Sequence, residues 1–533
     1  MKEERSRNLD ISVSKPTIGE PIPSRWLTPR YFIYAATWIY FTIWVFIKIF
    51  SKSNGLRPGW FNDRKRDESD MQWKDFRKNF PLLLIGMTVF LILSKIVKAS
   101  IFRSSQAEKR GYRDTRVLFL FYCIVGIGFI IYAHGWGAIW WGTTCLLNYF
   151  LTKSLKKSRW TPVATWVLNC AVLATSDYYR GYRGIYYFIG WESFYNGALP
   201  WQVYYRLTLV RNISFSMDYY WKQCGRKVER PTTNEYKMAV QTSVEEDSYG
   251  LMEYIAYVTY PPLYIGGPII TFNAFVNQVY KPTSSYSFSE KMFKLVKVCI
   301  YFVFFEIWLH YSYQYDLSWY REWKNPNFDE LDTIVCSAGA LVFMFFRSIA
   351  LLDGVDSPEN MARCVFGSTT FTDFWRFWHS SFNQWITRYL YIPLGGNKTQ
   401  IYSIWIIFLF VGLWHDLQYQ WIAWALINCV FFSVEIIVRK LTNTPVLSWV
   451  KDERWEREMA AIGGLFACVG LSYANLAILY GFEDSDLFIR KSYNNYDSTS
   501  WLPTSGMVKV SVYFLLISLN MQEWRRNEHL KEK

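Results

Sequence analysis

Histidine is scarce in this chain, five in 533 residues, so chemistry that needs an imidazole near neutral pH has few places to occur. Cysteine is present without pattern. Cys123, Cys145, Cys170, Cys224, Cys299, Cys336, Cys364, Cys429 and Cys468 include no CxxC pair and mostly lie inside apolar runs. They read as small core residues, with neither a disulfide framework nor a zinc site indicated. Acidic residues are outnumbered by basic ones, 44 against 58. The excess is dispersed between apolar runs and not gathered in one soluble module, which speaks against nucleic-acid binding. Lys and Arg at the ends of spans serve as topology determinants, and some can also attract an anionic donor or phospholipid head groups. No signal-peptide pattern opens the chain, and no internal repeat of the transporter kind is visible.

What is abundant is apolar and aromatic, 51% and 20% of residues, although long polar connections hold the mean hydropathy at zero. Apolar runs long enough to cross a bilayer recur along the chain. They begin with Tyr31–Phe50, Phe80–Val97, Val117–Ala133, a short Trp136–Leu151 and Trp160–Thr175. Further runs are Phe293–Tyr313, Leu331–Leu352, Ile401–Leu413, Trp421–Val438, Met459–Phe482 and Gly506–Met521. The expected fold is all-α, a polytopic integral membrane protein of about eleven transmembrane helices plus re-entrant segments. Residues 1–30 read as a disordered tail, 31–521 as one transmembrane domain with its catalytic core at about 205–440, and 522–533 as a soluble tail.

The stretch from Phe371 to Trp421 holds two of the histidines. Trp375, Trp378, Phe382 and Trp385 recur at helical steps, which predicts one helix with an aromatic stripe. His379 and Asn383, one turn apart, share the neighbouring face with Arg376. Pro393, Gly395, Gly396 and Asn397 then supply a reversal, and a second apolar helix ends in Trp414, His415 and Asp416. Counted from Gly396, His379 and His415 lie about 17 and 19 residues away, so two antiparallel helices place both some 25–29 Å from the turn. In an apolar site an imidazole stays neutral and accepts a proton from an alcohol, the role His415 fits. His379, with Asn383 behind it, can hold a carbonyl or orient the alcohol. The competing reading makes either histidine a structural hydrogen bonder between helices.

Other polar residues compete for attention. Arg211 and Asp218, seven positions apart, either place a donor head group or pair with buried charges. Leu251–Phe272 is broken by Pro261, Pro262, Gly266, Gly267 and Pro268, so it must be buried or line a cavity. Glu306 and His310, one turn apart, form a rival acid–base pair that reads as structural. His134 sits between two spans as a loop or interfacial residue. Lys222–Tyr249 reads as a solvent-facing loop without a core, and in DGVDSPEN Asp356 or Ser357 reads as a cap before another helix. Asn212 and Asn397 open N-x-[ST] sequons close to membrane segments.

The run FWRFWHSSFNQWITRYLYIPLGGNK, with GLWHD after one more span, resembles the signature of the membrane-bound O-acyltransferases. YPPLYIGGPIITFNAF and LVRNISFSMDYYW agree with it. LMEYIAYVTYPPLYIGGPIITFN and LLDGVDSPENMARCV are similar to the yeast glycerol-uptake branch, which is implicated in remodelling the lipid of GPI anchors. The likeness runs from about Trp60 to the end. It implies that His415 is the catalytic intramembrane histidine. His379 matches a second position that is Asn in many animal lipid acyltransferases, Asp in some protein acyltransferases and His in bacterial polysaccharide acyltransferases. Asp416 stands where many members have Gly, and Asn383 where several have His. Trp414, Arg376 and Asn383 then join Arg211 and Asp218 as substrate-binding or orienting candidates.

The resemblance implies acyl-CoA as co-substrate with no further cofactor and no metal, and a lyso-GPI anchor as the lipid acceptor. The expected location is the endoplasmic reticulum membrane, with the plasma membrane as a further site. A protein or glycan hydroxyl is the alternative acceptor, and a transport or regulatory protein without turnover is the alternative function.

Overall fold

The computed structural model of the protein describes residues 28–50, 57–104 apart from 62–63, 111–185 apart from 183, 197–311 apart from 227–231 and 233, 339–361, 370–451 and 456–487. Residues 313, 368, 515, 516, 519 and 520 are described singly. The N-terminal tail to residue 27, most of the Gly506–Met521 span and the tail from residue 522 with His529 lie outside the described residues. So do the first part of Leu331–Leu352 and the segment after Met361 that Asp356 or Ser357 was expected to cap.

The described chain is helical, relieved by one antiparallel pair of two-residue strands, β1 (Arg57–Pro58) and β2 (Lys65–Arg66). The elements that frame the site are α1 (Pro29–Phe50), α2 (Met71–Ser104), α3 (Gly111–His134), α4 (Gly137–Leu155), α5 (Trp160–Tyr178) and α6 (Trp201–Gln223). After them come α7 (Glu235–Gln241), α8 (Leu251–Thr259), the short α9 (Pro261–Tyr264), α10 (Phe272–Tyr280), α11 (Phe288–Trp308) and α12 (Gly339–Leu352). The chain continues with α13 (Phe371–Phe377), α14 (Ser380–Ile386), α15 (Gln400–His415), α16 (Tyr419–Leu441) and α17 (Glu456–Tyr480). Among the described residues four helical stretches are long and apolar enough to cross a membrane: Met71–Ile101, Thr115–His134, Tyr419–Leu441 and Glu458–Ile478. Gln400–His415 and Val342–Leu352 are apolar but shorter.

The core forms around α6, which is buried along most of its length although its sequence mixes aromatics with charge. It survives because its polar side chains bond inward. Asn148 and Thr152 of α4, Asn169 of α5, Asn212 and Ser216 of α6 and Tyr254 of α8 share one network: Asn169 donates to Asn148 at 2.8 Å, Asn212 to Asn169 at 3.0 Å, and Tyr254 to Asn212 at 2.7 Å. Removing one partner strands the others, at about 1–3 kcal/mol per orphaned group. Asn212 is wholly buried in this network, so its sequon is closed to glycosylation.

The broken segment is as the prolines require. Helix α8 stops before Pro261, α9 adds one turn, and residues 265–271 run without helix until Thr271 caps α10. The interruption leaves carbonyls without helical N–H partners, and Arg211 of α6 supplies them, donating to Val258 O at 2.9 Å and to Leu263 O. α3 closes on the same break. A Cβ on Gly126 would stand 2.2 Å from Thr259 Oγ1, so only glycine admits this approach.

The expected single helix through Trp375 and Trp385 is two helices. α13 ends at Phe377, Trp378 is extended (φ −74°, ψ 127°), and His379 is left-handed (φ 45°, ψ 48°) before α14 starts. The aromatic stripe continues across the break, which is why the period alone does not register it. The reversal at Gly395 and Gly396, both at positive φ, is where the sequence puts it. The polar stretch 222–249 is also more ordered than expected. It contains α7, whose Tyr236, Ala239 and Val240 pack on the core, while Asn277 of α10 donates to Ala239 O and Thr242 O at 3.0 and 2.8 Å.

Candidate active site

Four of the histidines are described, and their hydrogen bonds divide them. His134 is buried, not interfacial as expected. A carbonyl can only accept, so Nδ1–H donates to Leu199 O at 2.9 Å, and Nε2 accepts from the Tyr264 hydroxyl at 2.7 Å. His310 is likewise saturated, Nδ1–H to Glu306 O at 2.7 Å and Nε2 accepting Trp60 N–H at 3.2 Å. The Glu306 carboxylate turns away from it, taking Trp73 Nε1–H at 2.8 Å and Arg77 at 3.4 Å. Neither histidine has a nitrogen left for a substrate.

The other two do. His379 spends Nδ1 on the Asn360 side-chain amide at 3.1 Å and leaves Nε2 without a partner among the described residues. The side chain of His415, the last residue of α15, makes no hydrogen bond with any described residue. It lies flat on Trp421, centroids 4.3 Å apart at 10°, with the edges of Trp414 and Trp424 at 4.9 and 6.0 Å. Phe382, three residues after His379, packs on Trp414 with ring centroids 4.5 Å apart, and Arg206 bonds the Trp414 carbonyl, so His379, His415 and Arg206 occupy one region.

The backbone before His415 is tied down from α6. Arg206 Nε donates to Trp414 O at 2.9 Å, Trp414 Nε1–H donates back to Arg206 O at 2.9 Å, and Arg206 also pairs with Asp177 at the end of α5 at 2.8 Å. Trp414 therefore acts as an anchor for its neighbour. Asn383 is half-buried one turn from His379, its side chain free of hydrogen bonds to described residues, while its N–H donates to His379 O at 2.9 Å. Arg376 sits on the other side of the helix break, exposed and paired with Asp373 at 3.6 Å. Arg211 and Asp218 share α6 but serve different neighbours: Arg211 holds the broken segment, whereas buried Asp218 accepts from Arg388 at 3.0 Å, the Tyr389 hydroxyl at 3.0 Å and Asn273 N–H at 3.1 Å.

Arg388 leads from there to a cavity of about 280 Å³. Ser381, Gln384, Trp385 and Arg388, one face of α14 and the π-helical turn Thr387–Tyr391 after it, form one wall. Ile269 and Thr271 from the broken segment and Asn273 of α10 form a second, and Tyr236 and Lys237 of α7 belong to a third. Arg226, Lys237 and Arg388 line the cavity, and among the described residues no acidic side chain does. Arg226 and Arg388 both lie over the Trp221 ring, 4.4 and 5.0 Å from its centroid. The α7 wall is fastened by Glu235, which accepts from Thr283, Ser284 and Ser285 in the turn after α10. These bonds, the Ser285 hydroxyl foremost, hold its carboxyl down at about 2.

The site therefore combines two imidazoles with free nitrogens, an aromatic enclosure, and a cationic cavity reached along the helix that begins at His379. Residues 185–482 match the membrane-bound O-acyltransferase family model. The membrane-bound O-acyltransferase gup1 of Schizosaccharomyces pombe is 32% identical over 405 residues, 71% of this chain and 68% of the relative. GUP1 of Saccharomyces cerevisiae is 32% identical over 445 residues, 79% of this chain and 76% of the relative. The chain belongs to the membrane-bound O-acyltransferase family. A more distant relative, the mouse protein-cysteine N-palmitoyltransferase HHAT, is 27% identical over 212 residues, 36% of this chain and 41% of the relative.

Within this acyltransferase three polar residues stand beside the histidines that sequence reasoning did not single out for the site: Arg206, Asp177 and Asn360. Arg206 lies 208 positions from Trp414 and Asn360 lies 19 from His379. No local period connects such pairs. The one sequence sign was an arginine in α6, a helix whose lipid-facing side would not tolerate it.

Proposed function

We propose that this acyltransferase moves a long-chain acyl group from acyl-CoA to a hydroxyl, with a lyso-GPI anchor as acceptor, in the endoplasmic reticulum membrane. One observation carries the reading: among the described histidines, the two that keep a free nitrogen are the two that share one region. His415 takes the alcohol proton as the oxygen attacks the thioester carbonyl. The carbonyl electron pair moves to oxygen, then returns as the carbon–sulfur bond breaks, and the CoA thiolate recovers the proton from the imidazolium. His379 and Asn383 orient the reactants. The cationic cavity suits the anionic CoA head, with Arg226, Lys237 and Arg388 as phosphate partners and Trp221 as a stacking surface.

The lipid acceptor is supported by the likeness to the yeast branch. It is tested in cells lacking the protein, which should accumulate anchors with one acyl chain missing. His415→Ala should fail to restore them while the protein remains membrane-inserted. Normal anchor lipids in the deletion strain would remove the GPI acceptor and leave another alcohol, and restoration by His415→Ala would remove the catalytic reading altogether.

A further inference from the structure

The second imidazole of an acyl-transfer site can work in two ways, as another proton acceptor or as a donor to the carbonyl oxygen that becomes anionic. We propose that Asn360 decides between them: it fixes His379 as the Nε2–H tautomer, so that His379 donates to the acyl carbonyl and His415 alone accepts the alcohol proton. The proposal rests on the acyl-transfer reading above and assigns a positioning role to a residue outside the reacting groups.

The tautomer follows from what each atom can do. An amide nitrogen donates and does not accept, so Nδ1 of His379, 3.1 Å from Asn360 Nδ2, must keep its lone pair. A neutral imidazole then carries its proton on Nε2, the nitrogen with no partner among the described residues. The amide is itself oriented, because the Ser381 hydroxyl donates to Asn360 Oδ1 at 2.9 Å. The main chain repeats the clamp: Ser380 N–H donates to Asn360 O at 2.8 Å and the Ser380 hydroxyl to Glu359 O. Asn360, Ser380 and Ser381 are all buried.

The segment that presents Asn360 is tied to two helices. Arg347 of α12 donates to Ser357 O at 2.7 Å and pairs with Asp356 at 2.9 Å, while Gln278 of α10 accepts from Asp356 N–H at 2.7 Å and donates to Asp356 O at 2.9 Å. The edges of Phe343 and Trp378, at 5.2 and 5.4 Å, hold the imidazole ring itself. The charged groups nearby are committed elsewhere, Glu359 to Arg347 and Lys294 at 3.2 and 3.0 Å, and Arg376 to Asp373 at 3.6 Å. The His415 imidazole, with no hydrogen bond to a described residue, is free to accept and return a proton. One imidazole is locked as a donor and the other is left as the base.

The step balances. The alcohol O–H breaks and its proton goes to His415. The oxygen bonds to the thioester carbon, whose carbonyl oxygen gains the electron pair under the Nε2–H of His379. Collapse expels the CoA thiolate, which takes the proton from His415. Losing such a donor costs about 10²–10³-fold in turnover.

Asn360→Asp tests this, since a carboxylate accepts and so demands Nδ1–H. Neutral His379 would then offer Nε2 only as a lone pair, and the donor would return only with the imidazolium. The full-length protein in detergent is assayed with palmitoyl-CoA and lysophosphatidylinositol. The variant is expected to lose about 10²–10³-fold in kcat at pH 9, with the KM for palmitoyl-CoA changed less than about twofold. Its rate should fall with rising pH where the parent reaches a plateau. In a His379→Asn background, whose amide N–H needs no tautomer, Asn360→Asp should cost nothing further. Nitrogen NMR of histidine-labelled protein reads the tautomer without turnover, helped by there being five histidines in all. His379 is expected as Nε2–H in the parent and Nδ1–H in the variant. A parent-like kcat and pH profile for Asn360→Asp, a further loss in the His379→Asn background, or Nδ1–H in the parent spectrum would each overturn the assignment. Absence of acyl transfer in the parent would instead defeat the functional reading, with the spectrum still deciding the tautomer.

Discussion

Replacing Arg206 by Met should separate the placing of His415 from the stability of the fold. The guanidinium makes two contacts of unequal meaning. Its bond to Trp414 O, at 2.9 Å, fixes the carbonyl of the residue before His415, and its pair with Asp177, at 2.8 Å, closes α5 on α6. The return bond from Trp414 Nε1 reaches the backbone of residue 206 and survives the substitution. The lost charge-assisted bond to the carbonyl is worth about 1.5–3 kcal/mol. Stranding Asp177, whose side chain is 9% exposed, adds up to about 3 kcal/mol. Freed on one side, His415 drifts on the scale of 1 Å, which is enough to lower kcat by about 10²-fold. The KM for acyl-CoA should hold, since Arg206 is not among the cavity's lining residues. Adding Asp177→Asn removes the stranded carboxylate and should recover most of the lost thermal stability without recovering kcat. Arg206→Lys keeps the charge but has a single head for two partners, so an intermediate loss of about tenfold is expected. Purified variants, assayed for labelled acyl transfer and melted in the same detergent, give both quantities. If Asp177→Asn restored kcat together with stability, Arg206 would be a structural ion pair and no positioning residue.

Charge in the cavity should act on donor binding. Arg226→Gln and Lys237→Gln together should raise the KM for acyl-CoA about five- to thirtyfold, at roughly 0.5–1 kcal/mol per screened contact, with kcat near the parent value and a flatter dependence on salt. Equal salt dependence in parent and double variant would disconnect the cavity from the anionic head. His134→Ala, which orphans Leu199 O and the Tyr264 hydroxyl, should destabilise the protein by about 2–4 kcal/mol while leaving the turnover of folded molecules within a few fold, as active-site titration would reveal. Loss of turnover at full stability would place His134 in the chemistry. Glu235 holds its carboxyl at about 2, below the ordinary 4.5, so its contribution to stability is complete above pH 4.5 and is lost as pH falls toward 2. Between pH 5 and 8 the α7 wall should therefore not loosen on its account, and a change in hydrogen exchange at α7 over that range would contradict this.

Several parts of this protein were readable as a string of residues and others were not, for reasons that particular residues make plain. His379 and His415 could be paired across a turn because the turn chemistry of Gly395 and Gly396 is local and the apolar run between is unmistakable. The broken segment was legible because prolines cannot continue a helix. The helix interruption at His379 was hidden, since Trp375 and Trp385 keep a helical period through it. His134 looked interfacial because it ends a helix, yet the chain from Leu199 folds over it, a contact 65 residues away that no period records. Arg206 and Asn360 were missed in the same way: their roles lie in what they touch, and those contacts are set by packing. Amphipathic α7, seven residues long, fell below the length at which a polar stretch announces a helix.

The left-handed backbone of His379 carries a consequence for reading the family's variation. At φ 45° most side chains pay about 1–2 kcal/mol for the clash of Cβ with the carbonyl, and the residues other than glycine that tolerate it best are Asn, Asp and His. These are the three residue types that resemblance associates with this position in lipid, protein and polysaccharide acyltransferases. The backbone has in effect written a short menu, and the families differ in what they order from it. An alanine scan is then a poor instrument here, because His379→Ala removes an imidazole and strains a turn at once. His379→Gly removes the imidazole and relaxes the turn, while His379→Asn and His379→Asp keep the turn and exchange the chemistry. Compared within one chain, those three variants would show whether the second position changes the acceptor or merely the rate.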